Sequence, residues 1–257
     1  MINPLGGIMI GGDINNDYLP KSGTVTGMLL YDTGLVNWFQ GDARRVTLSD
    51  NGDIISFNDL KGTGSKLSRS SEKTGATLVN GIFGKHAGAR FNASEQDRNL
   101  FSGDALDPSQ PFSWAGVATL RSLTASCTLL GTFTSSSIRA ILNVTTSGGN
   151  AGKLAFLYGT SSCIGPLLSL DQPFAFACGF DGVSIFLRIN GQTYTAVAAG
   201  EPSKSVFSLG ALPGGSQFWD GDVADVFLCN VALNTTAGAA LLSKINRFTS
   251  KIYGLSL

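Results

Sequence analysis

Between Pro111 and Val197 the sequence alternates short β-prone runs with glycine turns, and no other feature limits the possible fold as much. Residues 111–120 open the most regular part, and strands are then expected over residues 128–133, 139–144, 153–158, 174–180, 184–189 and 192–197. Turn signals fall between them at Gly148-Gly149, Asp181-Gly182 and Asn190-Gly191. The sharpest is Asn190-Gly191, a two-residue hairpin signal, because both residues tolerate the positive φ that a type I′ turn needs. Many short strands with a turn between each pair specify an antiparallel two-sheet sandwich or jelly roll.

The flanks extend this reading. Residues 35–42 and 51–59 read as two short strands around Asn51-Gly52, followed by a polar loop through Gly62 and Gly64. Arg90-Phe91-Asn92 and Asn99-Leu100-Phe101 mark further short β segments, and residues 201–217 read as a flexible loop. Next comes an aromatic pair, Phe218-Trp219, then an Asp220-Gly221 turn and the apolar run from Val223 to Leu228. Leu241, Ile245, Phe248 and Ile252 then repeat at helical spacing. One amphipathic helix is therefore expected over 235–252, capped by Asn234 or Thr235 and stopped by Gly254.

Residues 1–33 are rich in Gly, Asn and Asp, with Pro4 and Pro20 and no stable period. Such a segment cannot build a core of its own, so it is expected as an N-terminal arm or tail. Its apolar clusters, Ile8 to Ile10 and Met28 to Leu30, favour an arm that orders against something else. Residues 34–257 form the single expected jelly-roll domain.

Lys plus Arg and Asp plus Glu each number 18, so the net charge is zero and the footprint of a nucleic-acid binder is missing. No apolar run reaches the length of a membrane span, and the first twelve residues lack the basic start of a secretory signal. No membrane association and no signal peptide are expected. Cys127, Cys163, Cys178 and Cys229 show no C-x-x-C spacing, which argues against a zinc site. Cys178 shares one strand face with Phe174, Phe176 and Phe180 and reads as a buried small hydrophobe.

Catalytic parts are scarce. His86 is the lone histidine, in what reads as a Gly-rich loop, so Ser-His-Asp catalysis is excluded unless His86 supplies every histidine role. Glu72, Glu95 and Glu201 are isolated, and Asp220 and Asp222 read as turn residues before a strand. Asp225 sits inside an apolar run and is expected to be a structural carboxylate bonded to a neighbouring loop. Lys66, Arg69, Lys73 and Lys85 are diluted by Ser, Thr and Gly and read as a solvated stretch.

Several fragments fall in one order: Leu35-Val36-x-Trp38, Gly52-x-Ile54-x-x-Phe57-x-Asp59, Arg90-Phe91-Asn92, Phe112-Ser113-Trp114, Phe180-Asp181-Gly182 with Asn190-Gly191, Phe218-x-x-Gly221-Asp222-Val223-Ala224-Asp225-Val226, and Phe248 through Gly254. Over residues 35–257 this order resembles the concanavalin A-like, laminin-G-like jelly-roll superfamily, in versions found in bacterial and bacteriophage surface proteins. The resemblance implies an all-β, antiparallel two-sheet jelly roll with loops at one rim and a short C-terminal helix.

Its members include lectins, glucanases, adhesion modules and virion surface proteins, so function must be argued separately. Calcium in laminin-G-like relatives is held by rim carboxylates; the candidates here are Asp97, Asp104, Asp107, Asp220 and Asp222. Sugar recognition would draw on exposed aromatics, with Tyr158, Tyr194 and Trp219 as candidates.

The leading expectation is a non-enzymatic structural module of a bacteriophage particle, a capsid decoration or tail accessory protein located in the virion. In that role, residues 1–33 dock on other virion proteins or on further copies of the chain, giving a homo-oligomer or multi-copy assembly. The alternative is a carbohydrate-binding adhesin for a cell-surface glycan. A β-glucan hydrolase using Asp220 and Asp222 comes third.

Overall fold

The computed structural model describes residues 24–69, 75–103 and 106–257. A short helix, α1 (Val25–Leu30), precedes seventeen strands among these residues. They are β1 (Leu35–Gln40), β2 (Val46–Leu48), β3 (Ile54–Asn58), β4 (Lys66–Arg69), β5 (Thr77–Phe83), β6 (His86–Phe91), β7 (Asn99–Ser102), β8 (Phe112–Leu120) and β9 (Cys127–Ser135). Then follow β10 (Ile138–Val144), β11 (Lys153–Tyr158), β12 (Ser161–Leu167), β13 (Phe174–Phe180), β14 (Ser184–Ile189), β15 (Gln192–Val197), β16 (Ser208–Leu209) and β17 (Gly221–Cys229). Helix α2 (Ala239–Tyr253) closes the chain. Among the described residues no helix is long and apolar enough to cross a membrane.

The strands form two antiparallel sheets. One runs β15-β14-β13-β8-β17-β6-β5, with β1 also on β17; the other runs β12-β11-β10-β9-β16-β7-β4-β3-β2. Two strands share one edge of β17: β6 pairs Gly221 to Val223, and β1 pairs Asp225 to Cys229. They meet end to end at Gly41, where a Cβ would lie 2.6 Å from the Ala89 nitrogen. Glycine is what permits that junction.

The middle of the first sheet is buried on both faces, so every residue of β8, β13 and β17 is buried, polar ones included. In β13 the alternation has a clear division of labour. Phe174, Phe176, Cys178 and Phe180 face the core between the sheets, together with Trp114, Phe156 and Trp219. Ala175 and Ala177 face the opposite way, into a second core with Trp38, Phe227, Leu241, Ile245 and Phe248. Small side chains there let α2 lie close on the sheet.

Four expected strands match their observed bounds: β11, β13, β14 and β15. Others needed correction. His86 is the first residue of β6 rather than part of a loop. Residues 201–217 are no free loop: β16 fills the space between β9 and β7, with Phe207 and Leu209 buried. Ser205 Oγ accepts from Phe133 N, and Thr132 Oγ1 donates to Ser203 O, tying the segment down. Helix α2 starts at Ala239, because Thr235 and Gly238 close a separate turn first. Gly254, at φ 71°, stops it.

The N-terminal segment expected as an arm is described only from Thr24, and residues 1–23 lie outside the described residues. Thr24 Oγ1 caps α1 by accepting from Gly27 N. Val25 and Leu29 insert into the second core, and Asp32 pairs with Lys244 of α2 at 2.6 Å. Residues 24–33 thus pack on the domain itself.

Candidate functional site

The three aromatic side chains expected at an exposed rim all face the core. Trp219 is fully buried and donates Nε1–H to the Thr119 carbonyl at 3.0 Å. Tyr158 is buried, donates to the Pro108 carbonyl at 3.0 Å and stacks on Phe180. Tyr194 is half-buried against the same core, its hydroxyl on Gln192 Oε1. Trp219 and Tyr158 offer no free face for a sugar ring to stack on.

The aspartates expected to gather around calcium are dispersed and committed. Asp222 lies inside β17 rather than in a turn, with Arg90 bonding it at 2.8 and 3.3 Å and Thr119 Oγ1 at 3.1 Å. Asp220 is held by Arg121 at 2.6 Å, and Asp107 by Ser109 and Lys204. Asp97 is buried and accepts from Asn92 N at 2.8 Å. Asp104 lies outside the described residues, as do Glu72 and Lys73. Among the described residues no group of three or more His, Cys, Asp or Glu is placed to hold a metal.

Asp225 is structural, but its partners are not in a loop. The Trp38 indole of β1 donates to Oδ1 at 2.6 Å, and the Tyr253 hydroxyl at the end of α2 donates to Oδ2. Burial pushes this carboxyl up to about 6, against the lowering pull of the Tyr253, Trp38 and Gln40 bonds. All four cysteines are free and buried. Burial raises Cys127 to about 12 and Cys163 to about 11, which leaves these thiols unreactive at neutral pH.

A different set of residues makes a pocket at one rim of the sandwich. The sheets are stapled there: Asp53, just before β3, bridges Thr77 of β5, and Ile54 N donates to the Ala76 carbonyl at 2.7 Å. Gly75 permits this approach, since a Cβ on it would fall 2.1 Å from the Ile54 carbonyl oxygen. Beside the staple lies a space of about 200 Å³ lined by Asp53, Thr77, Arg90, Asn92, Glu95 and Asp97.

The Asx-type turn at Asn92, whose Oδ1 accepts from Ser94 N and Oγ, fixes one wall. Arg90 is fixed by Asp222 on a second wall, and Arg69 approaches Asp53 at 3.8 Å. The pocket joins hydroxyl, amide, guanidinium and carboxylate groups, so it presents both donors and acceptors. Sequence reading missed Asp53 and Thr77, and it treated Glu95 as isolated. The local sign was Arg90-Phe91-Asn92, read above as a short β segment and as part of the resemblance.

With its two antiparallel sheets and closing helix, the chain is a mostly-β jelly-roll sandwich. No protein-family model matches it, and no curated protein matches its sequence. It is similar in structure to Trypanosoma rangeli sialidase in complex with the inhibitor DANA, at 17% identity and a TM-score of 0.57 over 80% of this chain. It spans only 32% of that sialidase.

Domain 4 of AbnA, a GH43 extracellular arabinanase from Geobacillus stearothermophilus in complex with arabinotriose, is similar at 15% identity and a TM-score of 0.54. That match covers 79% of this chain and 95% of the domain. A single-substitution variant of HCR D/C VPI 5995 is similar at 10% identity and a TM-score of 0.55, over 82% of this chain and 52% of that one. Identities this low establish a shared fold.

Proposed function

We propose that this chain is a carbohydrate-binding sandwich module that holds an oligosaccharide at the rim pocket and does not hydrolyse it. The observation that carries the reading is the likeness to AbnA domain 4, described with arabinotriose, because nearly that whole domain is matched. The pocket supplies suitable chemistry. A sugar hydroxyl both donates and accepts, and Thr77, Asn92, Arg90, Asp53 and Glu95 offer both functions within one small concavity.

Two features support binding without hydrolysis. Asp220 and Asp222, the pair weighed for a glucanase, are each engaged by an arginine, so neither side chain is left free to flank a glycosidic bond. Asp225 does hold its proton more tightly, but it is sealed beneath α2 and cannot reach a glycosidic oxygen. A place in a bacteriophage particle was the leading expectation, and no feature of the fold, the pocket or the similar structures favours it over binding.

The test is calorimetric titration with arabinotriose alongside a glycan array, with and without calcium. Binding is expected, unchanged by calcium and weakened about tenfold by Asn92→Ala or Thr77→Val, the effect of losing roughly one hydrogen bond. An array without a hit and a flat titration would overturn the proposal. Release of arabinose from arabinotriose would overturn its non-hydrolytic part.

A further inference from the structure

Helix α2 covers only part of the outer face of its sheet, and the β14–β15 hairpin extends beyond it. On that face Phe186 and Arg188 of β14 stand beside Thr193 of β15, with Arg188 and Thr193 directly paired across the strands. A cleft of about 220 Å³ lies there, walled by Phe186, Arg188, Thr193, Asn234, Thr235 and Leu242. That is room for about seven water molecules, enough for one small ring and too little for a chain of them.

Arg188 is the unusual member. Its Nη1 donates to Thr193 Oγ1 at 2.8 Å, but its Nε is buried without an acceptor. Among the described residues no carboxylate pairs with it. Asp181, which Asn234 of the cleft holds, is also bonded by Val183 N and Ser184 N. A guanidinium that lines a cleft without a carboxylate partner favours a ligand carboxylate, in the two-pronged geometry such groups adopt.

We propose that this cleft is a second ligand site, for a uronate: a sugar ring carrying a carboxylate. Arg188 anchors the carboxylate. Phe186 and Leu242 meet the apolar face of the ring, and Thr193, Asn234 and Thr235 meet its hydroxyls. The sugar part of this assignment rests on the carbohydrate reading above; the site and its anchor do not involve the rim pocket.

Titration of the full chain with D-galacturonate, and with D-galactose as the neutral comparison, tests the assignment. Galacturonate is expected to bind at least about tenfold more tightly than galactose, and Arg188→Gln to remove that preference, as a charge-assisted pair requires. Thr193→Val, which frees Arg188 Nη1 without touching the core, is expected to weaken galacturonate severalfold and keeps the test open if Arg188→Gln misfolds. Asn92→Ala weakens the rim pocket and leaves galacturonate binding in place.

Absence of galacturonate binding, or equal binding of both sugars, overturns the proposal. So does loss of binding with Asn92→Ala in place of Arg188→Gln, which assigns the ligand to the rim. Arabinotriose binding without galacturonate binding sinks the second site alone.

Discussion

The Trp38 indole nitrogen lies 2.6 Å from the Asp225 carboxylate, in a spot where neither side chain is reached by solvent. With the Tyr253 hydroxyl on the other oxygen, this bond joins β1, β17 and α2 through one buried acid. Truncating one member of such a set leaves a buried polar group exposed to an apolar surrounding, which costs more than the bond gained.

Asp225 makes stability depend on pH. Its folded value of about 6 stands above the ordinary 3.8, so the folded chain binds the proton more tightly than the unfolded chain. The stabilising contribution is full below about 3.8 and is lost as pH rises through about 6. At ~1.4 kcal/mol per tenfold change in proton affinity, about 2–3 kcal/mol disappears between roughly pH 4 and pH 7.5. Asp32, Asp42 and Asp181 are held below the ordinary value, and their contributions fade only as pH falls past it. Urea denaturation at both pH values is expected to show the loss in the wild type and not in Asp225→Asn; parallel pH curves for the two proteins would remove Asp225 as its source.

Tyr253→Phe deletes the donor on Oδ2 while keeping the ring contacts with Phe83, His86 and Phe248. The variant is expected to lose about 1–3 kcal/mol near pH 8, and less near pH 4.5, where Asp225 is protonated. Because that bond lowers the Asp225 value, the midpoint of the pH dependence is also expected to move upward. An unmoved midpoint in a stability profile counts against the bond.

Gly75→Ala places a methyl against the Ile54 carbonyl and forces the two sheets apart at the rim. A loss of about 1–3 kcal/mol is expected, together with weaker oligosaccharide binding, because the rim pocket is built on that contact. Thermal melts and titration on one preparation check both; a variant as stable as the wild type excludes the packing described here.

Thiol chemistry gives a separate check on the core. Cys127, Cys163, Cys178 and Cys229 all lie in the interior with raised thiols, so a disulfide exchange reagent is expected to label none in native protein and four after denaturation. Rapid native labelling of Cys178 contradicts the two-faced burial of β13.

The legible part of the fold was its local part. Alternation in Phe174–Phe180 and a two-residue Asn190-Gly191 turn are properties of adjacent residues, and β13, β14 and β15 follow directly from them. Strand β16 was hidden, because two residues between Phe207 and Gly210 carry no period. Strand β5 was hidden too, its register broken between Val79 and Phe83.

The sequence by itself determined the class, an antiparallel sandwich closed by an amphipathic helix, since turn chemistry and apolar period act over a few residues. Tertiary structure alone decided which polar groups meet. Tyr158 and Trp219 turn inward because distant strands set which face of each is covered. Asp53, Thr77, Arg90 and Glu95 share a pocket only because the two sheets close on one another at Gly75. Sheet pairing is a long-range contact, and no local pattern encodes its partner.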